Sequence, residues 1–215
     1  MPNKSVLSIL GPTATGKTSL ALILAKELIS ANKFKGASLI SADSRQVYQG
    51  LETLTGADIP SQFKRIEAQE NSQSPYDYFQ HQNLPTKLHG VSIIAPAEDW
   101  SVTHFRDLAI FAIQNCWSQN WLPIVVGGTG LYHLQLFNND PQLYVQPNPQ
   151  IRQQAANKTA PQLRRILADL DTEKIEAMNH SDRHNPRRLI RAIEVAQALR
   201  DPSARIKHRP IFHQP

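Results

Sequence analysis

Short apolar runs and turn residues alternate along the first part of the chain in the order strand, loop, helix. Residues 5–10 (SVLSIL) predict a strand, and after a loop a helical period of apolar residues continues to Leu28. Further apolar runs from Ala37 to Ser41 and from Leu122 to Val126 predict two more strands. Because strands separated by helices pair in parallel, the pattern predicts an α/β fold with a parallel sheet flanked by helices.

The region between the second and third of these strands has a weaker pattern. Residues 60–86 are rich in Pro and Gln and show little periodicity, so they predict a mobile loop. A short strand is predicted from Val91 to Ile94. The stretch from Trp100 to Trp117 predicts a helix with Ser101 as its N-cap.

A boundary is predicted from Asn138 to Pro149, where Asn, Pro and Gln are frequent. Beyond it the apolar spacing predicts helices at 149–157, 160–169, 171–178 and 186–200. The chain is therefore expected to contain a core domain at 1–139, a small helical insertion at 140–182, and a returning core helix with a C-terminal tail at 183–215.

The loop after the first strand carries the clearest chemical signal. Gly11 to Thr18 (GPTATGKT) satisfies the pattern G-x-x-x-x-G-K-[ST] between a predicted strand and a predicted helix. Glycines let successive N–H groups point at an anion, and the helix adds the positive end of its dipole. Lys17 would supply charge to the distal phosphate, and the Thr18 hydroxyl would hold Mg²⁺.

The loop therefore predicts a P-loop NTPase-like core that binds a phosphate compound. Kinases, ATP-binding NTPases and prenyltransferases all use such a cradle, so the loop does not select among nucleotides and other diphosphates. A glycine turn that only joins the strand to the helix is the alternative interpretation.

Polar residues also follow the second and third predicted strands. Asp43 ends the second strand, and in an open parallel sheet that end faces the ligand crevice, so Asp43 is expected near Lys17. It could act as a general base, bind metal through water, or cap the next helix. The third strand ends in Gly127-Gly128-Thr129 without a carboxylate, which disfavours ATP hydrolysis. These glycines permit close approach of a ligand or backbone, or form a plain turn.

Composition fits a folded protein with a basic bias. Hydrophobic residues make up 40% and charged residues 19%, away from the signature of disorder. The formal charge of +5 suits RNA or pyrophosphate, although a basic surface alone would give the same count. Basic residues concentrate from Arg152 to Arg209.

Cellular location is predicted from cysteine usage and from hydrophobic segments. The single cysteine, Cys116, fits a reducing compartment and excludes a cysteine-built metal site, and it is expected to be a buried structural thiol. The N-terminal run from Val6 to Leu10 lacks the features of a signal peptide, and no stretch approaches a membrane span. A cytoplasmic protein is expected.

Several motifs occur in order along the chain: GPTATGKT (11–18), ISADSRQVYQGL (40–51), TG (55–56), HGVSIIAPAEDWSVTHF (89–105), VVGGTGLY (125–132) and NPRRLIRAIEV (185–195). Together they resemble one family, the tRNA dimethylallyltransferases, also called isopentenylpyrophosphate transferases.

The resemblance implies transfer of a dimethylallyl group from dimethylallyl diphosphate to the exocyclic N6 amine of the tRNA adenosine 3′-adjacent to the anticodon. Asp43 would be the base that removes the amine proton. Lys17, Thr18 and Mg²⁺ would stabilise the departing pyrophosphate, and Thr129 would line the reaction channel. Binding of tRNA and of dimethylallyl diphosphate is expected, in a monomer without membrane association.

The resemblance also assigns binding residues. The diphosphate would contact Gly11, Pro12, Thr13, Ala14, Thr15, Gly16, Lys17 and Thr18. The tRNA would contact Asp43, Ser44, Arg45, Gln46, Thr129, Arg152, Arg187, Arg188, Leu189, Ile190 and Arg191. Helical spacing independently places Arg187 and Arg191 on one face, although a solvated face is the alternative.

The chain departs from the family pattern in its C-terminal part. Family members usually continue beyond the helix that corresponds to 186–200, so the chain is expected to be a short form, a fragment, or an enzyme completed by another component. Residues 57–88 lack the usual AKP-type stretch. Three rival functions stay open: a small-molecule kinase with 150–191 as its lid, an isopentenyltransferase for free adenine nucleotides, and an inactive phosphate- or RNA-binding protein.

Overall fold

The structure is a computed structural model that describes residues 4–57, 59–68, 74–138 and 140–201. The chain divides into two compact units, with the boundary between residues 139 and 140. The first unit contains β1 (Leu7–Leu10), α1 (Lys17–Ser30), β2 (Gly36–Ser41), α2 (Glu52–Thr55), β3 (Phe63–Ile66), β4 (Tyr78–His81), β5 (Thr86–His89), α3 (Val102–Gln119), β6 (Trp121–Gly127) and α4 (Gly130–Phe137). The second contains a 3₁₀ helix (Pro141–Tyr144), α5 (Pro149–Ala155), α6 (Ala160–Leu170), α7 (Thr172–Ala177), α8 (His180–Arg183) and α9 (Pro186–Arg200).

The first unit is built on a six-stranded mixed sheet in the order β1-β6-β2-β5-β4-β3. The pairs β1–β6, β6–β2 and β2–β5 are parallel, as the alternation of strands and helices predicts. Strands β4 and β3 extend the sheet with antiparallel pairing. Strand β1 is the edge strand of the described sheet, and Leu10 on it is 58% exposed.

Two predictions between the second and third strands were wrong. Residues 60–86 are not a loop, since they contain β3, β4 and the first residue of β5. These strands were missed because each is four residues long, and β3 and β4 each bury a single residue fully, which leaves little periodicity to detect. The stretch from Val91 to Ile94 is not a strand, because Gly90 turns the chain with φ 77° directly after β5.

Helices cover both faces of the sheet because neighbouring strand residues point to opposite sides. On one face Ala21 and Ala25 of α1 pack in a cluster with Leu39 and Ile124. On the other face, helix α3 packs in a cluster that contains Ile40, Val125 and Phe105.

Helix α3 confirms its predicted position and cap. The Ser101 hydroxyl accepts a hydrogen bond from the His104 amide at 3.4 Å. Cys116 on this helix is 2% exposed, and burial raises its pKa to about 11, as expected for a structural thiol. Across the described residues, no helix is both long enough and apolar enough to cross a bilayer.

The second unit is helical, and its main helices lie where the sequence predicts them. Leu163 and Leu167 of α6 are fully buried against Leu189 and Ile193 of α9. Helix α9, predicted as part of a segment returning to the core, is thus packed on α6 within this unit. The three-part division of the chain stays a prediction.

Gly127, at the end of β6, is required by a close backbone contact. A Cβ atom at this position would lie 2.3 Å from the carbonyl oxygen of Ala42, which directly follows β2. The Ala42 amide donates to the carbonyl of Val126 at 2.8 Å, and the Ala42 carbonyl accepts from the Thr129 amide at 3.0 Å. The prediction that this glycine permits another backbone to approach is confirmed.

We expect Gly127→Ala to lower the free energy of unfolding by at least about 2 kcal/mol, because the new methyl group meets backbone that cannot rotate away. Gly130→Ala is the matched control, since a Cβ there meets nothing within 4 Å. This control should be neutral or slightly stabilising at the start of α4. Urea unfolding followed by circular dichroism measures both variants, and equal stability of the two would contradict the assignment.

Candidate active site

The glycine-rich loop passes into α1 through a left-handed residue. Gly16 has φ 77°, a conformation that glycine adopts without strain, and α1 begins at Lys17. No side chain caps this helix end. The amides of the first helical turn lack intrahelical partners, so they can bind an anion.

A cavity of about 190 Å³ lies against this loop. Its lining comes from the loop and the start of α1, from the ends of β2, β5 and β6, and from neighbouring loops. The lining residues are Thr13, Ala14, Gly16, Lys17, Thr18, Ser19, Ser41, Asp43, Gln46, Gly56, Ala57, Pro60, Leu88, Val91, Val126 and Gly127.

Only some of the residues that are predicted to bind the diphosphate line the cavity. Thr13, Ala14, Gly16, Lys17 and Thr18 line the cavity. The remaining predicted residues, which do not line it, are Gly11, Pro12 and Thr15.

Pro12 is the internal hydrogen-bond acceptor of the loop. Its carbonyl oxygen accepts from the Thr15 hydroxyl at 2.9 Å and from the Lys17 ammonium group. These hydrogen bonds hold the loop together and keep Lys17 on the cavity wall.

Asp43 lies in the same cavity as Lys17, as the sequence predicts. It is 7% exposed, and its Oδ1 accepts a hydrogen bond from the Arg45 amide at 2.9 Å. The carboxylate therefore closes a local turn, and no helix begins after it before α2 at Glu52. The alternative of a helix cap is wrong.

Gln46 is the next predicted contact that lines the cavity, and its side chain is held at both ends. Its amide nitrogen donates to the Gly56 carbonyl at 3.0 Å. Its Oε1 accepts from the Ser41 hydroxyl at 3.1 Å. The fixed amide brings the segment after β2 and the segment after α2 to one wall.

Thr129 is joined to the Asp43 segment and does not line the cavity. The Thr129 hydroxyl accepts a hydrogen bond from the Ser44 amide at 3.2 Å. Ser44 and Arg45 are exposed beside it. The predicted roles of these residues in the reaction channel and in tRNA contact stay predictions.

Sequence reasoning missed part of the wall. Ser41 could have been found, since it precedes Asp43 by two positions at the end of a predicted strand. Leu88 and Val91 could not be placed, because β5 was not recognised and Val91 was assigned to a strand that does not exist. The apolar side of the cavity therefore emerges only from the fold.

The oxygen donors of the cavity fit a hard cation. Within the described residues there is no cluster of three or more His, Cys, Asp or Glu side chains that could hold a metal alone. Thr18 and Asp43 nevertheless place a hydroxyl and a carboxylate on one cavity. Mg²⁺ commonly binds through few protein ligands, water and substrate phosphates, which matches this arrangement.

In the second unit, predicted tRNA residues surround a buried carboxylate. The Glu194 side chain has no exposed surface and accepts from Arg152 at 2.7 Å, from the Asn148 amide at 2.9 Å and from Arg191 at 3.4 Å. Burial would raise the pKa of Glu194, but the hydrogen bonds and charge of Arg152, with Asn148 and Arg191, hold it below its ordinary value of 4.5.

The other predicted residues of α9 differ in exposure. Arg187 is exposed, and Arg188 is exposed while it pairs with Asp182. Ile190 is half-buried against the helical cluster. Leu189 is fully buried, which corrects its prediction as a tRNA contact, because its side chain has no surface for RNA.

The sheet order and the flanking helices define a P-loop-like α/β protein. Two family models match the chain: one described as IPP transferase, over residues 79–214, and one described as isopentenyl transferase, over residues 4–69. The chain therefore belongs to the IPP transferase family, which confirms the resemblance seen in its motifs.

Curated relatives agree with this assignment. The chain is 35% identical to tRNA dimethylallyltransferase 2 of Trichlorobacter lovleyi, over 89% of this chain and 53% of that protein. It is 34% identical to tRNA dimethylallyltransferase 1 of Syntrophus aciditrophicus, over 90% and 55% respectively. The chain thus spans about half the length of the curated relatives it matches.

A solved structure also matches. The full-length tRNA isopentenylpyrophosphate transferase from Bacillus halodurans is 28% identical, with a TM-score of 0.49, over 91% of this chain and 56% of that one.

We expect Glu194→Gln to lower the free energy of unfolding at neutral pH by about 1–3 kcal/mol, because two partly exposed arginines lose their shared charge partner. Exposed Glu173→Gln is the matched control and should change it by less than about 0.5 kcal/mol.

The effect of Glu194→Gln should depend on pH. Because folding lowers the pKa of Glu194, its charge stabilises the folded state fully at pH values above 4.5. This contribution disappears as the pH falls through the lower pKa that Glu194 has in the folded protein. Urea unfolding at several pH values measures the difference from the parent protein. A difference that stays constant down to strongly acidic pH would contradict the ion-pair assignment.

Proposed function

We propose that this chain carries the diphosphate-binding and catalytic centre of a tRNA dimethylallyltransferase. The observation that supports this most directly is that Lys17, Thr18 and Asp43 line one cavity. In the reaction the allylic carbon forms a bond to the N6 amine of the target adenosine. The bond from that carbon to the diphosphate oxygen breaks, the amine proton passes to Asp43, and pyrophosphate leaves.

The cavity has separate polar and apolar walls that suit an allylic diphosphate. The amides after Gly16, with the charge of Lys17, would hold the diphosphate and stabilise it as it gathers negative charge. Leu88, Val91 and Val126 supply an apolar wall on which the dimethylallyl group would pack. Both ends of the donor substrate thus have matching surfaces.

Asp43 is positioned to serve as the general base. The adenine amine is a weak nucleophile because its lone pair is delocalised, so removal of its proton during bond formation assists attack. The turn to the Arg45 amide fixes the carboxylate, and the hydrogen bond from Ser44 to Thr129 fixes the segment that carries it. A fixed base maintains its alignment with the amine.

Mg²⁺ would be held by Thr18, with Asp43 near, and when bound it would neutralise charge on the departing pyrophosphate. The target tRNA would contact Ser44, Arg45 and Gln46 beside the cavity. On the helical unit the exposed Arg187, with the solvent-exposed parts of Arg152 and Arg191, would contact RNA phosphates. A cytoplasmic, monomeric enzyme is part of the proposal.

Incubation with labelled dimethylallyl diphosphate and undermodified tRNA should label the RNA. Asp43→Ala should lower transfer at least about 100-fold, because the amine loses its base, while affinity for pyrophosphate changes less than about threefold. Exposed Asp99→Ala is the matched control and should transfer normally. Equal loss of transfer and of pyrophosphate affinity would assign Asp43 a structural or metal role, and labelling of an acceptor by ATP would favour the kinase.

Lys17→Met should weaken pyrophosphate binding at least about tenfold, since a charge-assisted contact is lost. Lys26→Met on the exposed side of the same helix should bind pyrophosphate as the parent does. Removing Mg²⁺ with EDTA should weaken the parent's binding as well. Isothermal titration calorimetry measures these affinities, and unchanged binding by Lys17→Met would exclude the loop as the diphosphate site.

A further inference from the structure

A second cavity, of about 170 Å³, lies on the opposite face of β5 from the candidate active site. Successive residues of a strand point to opposite faces. Leu88 accordingly lines the first cavity, whereas Lys87 and His89 line the second. Helix α3 supplies part of the lining of the second cavity, and nothing in the proposed reaction uses this cavity.

His89 is a largely buried polar residue that lines this cavity. It is 5% exposed. Its ring stacks on Tyr78 with centroids 5.4 Å apart. Burial, with the charge of Lys87, lowers the pKa of His89 to about 3, so the imidazole is neutral and carries one donor and one acceptor nitrogen. On the cavity wall, the donor nitrogen can give its N–H to an acceptor group of a ligand.

Lys87 adds a positive charge to the same cavity. Its ammonium group lies 5.0 Å from the ring centroid of Tyr78 and 5.4 Å from that of Trp121. Among the described residues, no carboxylate forms an ion pair with Lys87. Aromatic faces hold the cation in place without neutralising it, so its charge stays available to an anion.

The rest of the wall combines apolar and aromatic side chains with the polar side chains of Ser38, Ser74, Asn115 and Gln119. Phe111 and Ala112 of α3 face Trp121 at the start of β6 around the cavity. An apolar cavity of about 150 Å³ accommodates a benzene molecule, so this volume suits a ring-sized group. With one cation and one neutral imidazole, the charge of the site matches a monoanion better than a phosphate dianion.

We propose that this cavity binds a small carboxylate with an apolar, ring-sized body. The carboxylate pairs with Lys87 and accepts the N–H of His89, and the ring packs between Phe111 and Trp121. The ligand would lie directly behind the strand that supplies Leu88 to the active-site cavity. This site is independent of the proposed transferase activity.

Benzoate is the probe for the test, with titration calorimetry on the full chain. It should bind saturably with Kd about 1 mM, typical of a fragment of this size. Benzamide, which matches its shape without the charge, should bind at least about tenfold more weakly, and Lys87→Met should weaken benzoate binding by a similar factor. His89→Phe keeps the stack on Tyr78 and should also weaken it.

Exposed Lys64→Met on β3 is the matched control and should bind benzoate as the parent does. Circular dichroism of each variant verifies that it is folded. Absence of saturable benzoate binding by the parent, equal affinity for benzamide, or full affinity in folded Lys87→Met would each overturn the proposal.

Discussion

The contact between Gly127 and the backbone of Ala42 is the constraint on which the candidate active site depends. It lets the ends of β6 and β2 lie closer than any side chain allows. The carbonyl of Gly127 also accepts from the Gly11 amide at 3.4 Å, and the Ala42 carbonyl accepts from Thr129. The glycine-rich loop before α1, the Asp43 segment and the start of α4 thus meet at the ends of β6 and β2. The cavity exists because three strand ends converge there.

Local pattern was sufficient for those parts of the site that follow directly from strand ends. The loop before Lys17 carries its glycines at fixed spacing, and Asp43 follows a buried strand, so both could be predicted from sequence. Strands β3 to β5 could not, because their order and register come from pairing between distant segments. The apolar wall at Leu88 was invisible for the same reason. The functional groups next to single strand ends could thus be predicted from the sequence, whereas the shape of the cavity could not.

The helical unit shows a different limit of sequence reasoning. A count of arginines treats every guanidinium as available to RNA, yet Arg152 and Arg191 both donate to Glu194. The signal was present in the sequence, since Glu194 stands in the otherwise apolar stretch from Ala192 to Ala196. A carboxylate at such a position requires partners inside the fold. Arg191, three positions earlier on the same helix, was the candidate partner that the spacing offered.

The two faces of strand β5, which has four residues, line two chemically different cavities. Its period of two places an apolar side chain in the candidate active-site cavity and two polar side chains behind it. Gly90 then turns the chain with φ 77°, so that Val91 returns to the side of Leu88. Lys87 and His89 therefore lie on the reverse face of the strand from the side chain that lines the candidate active site. The alternation of side chains along this short strand separates the two cavities.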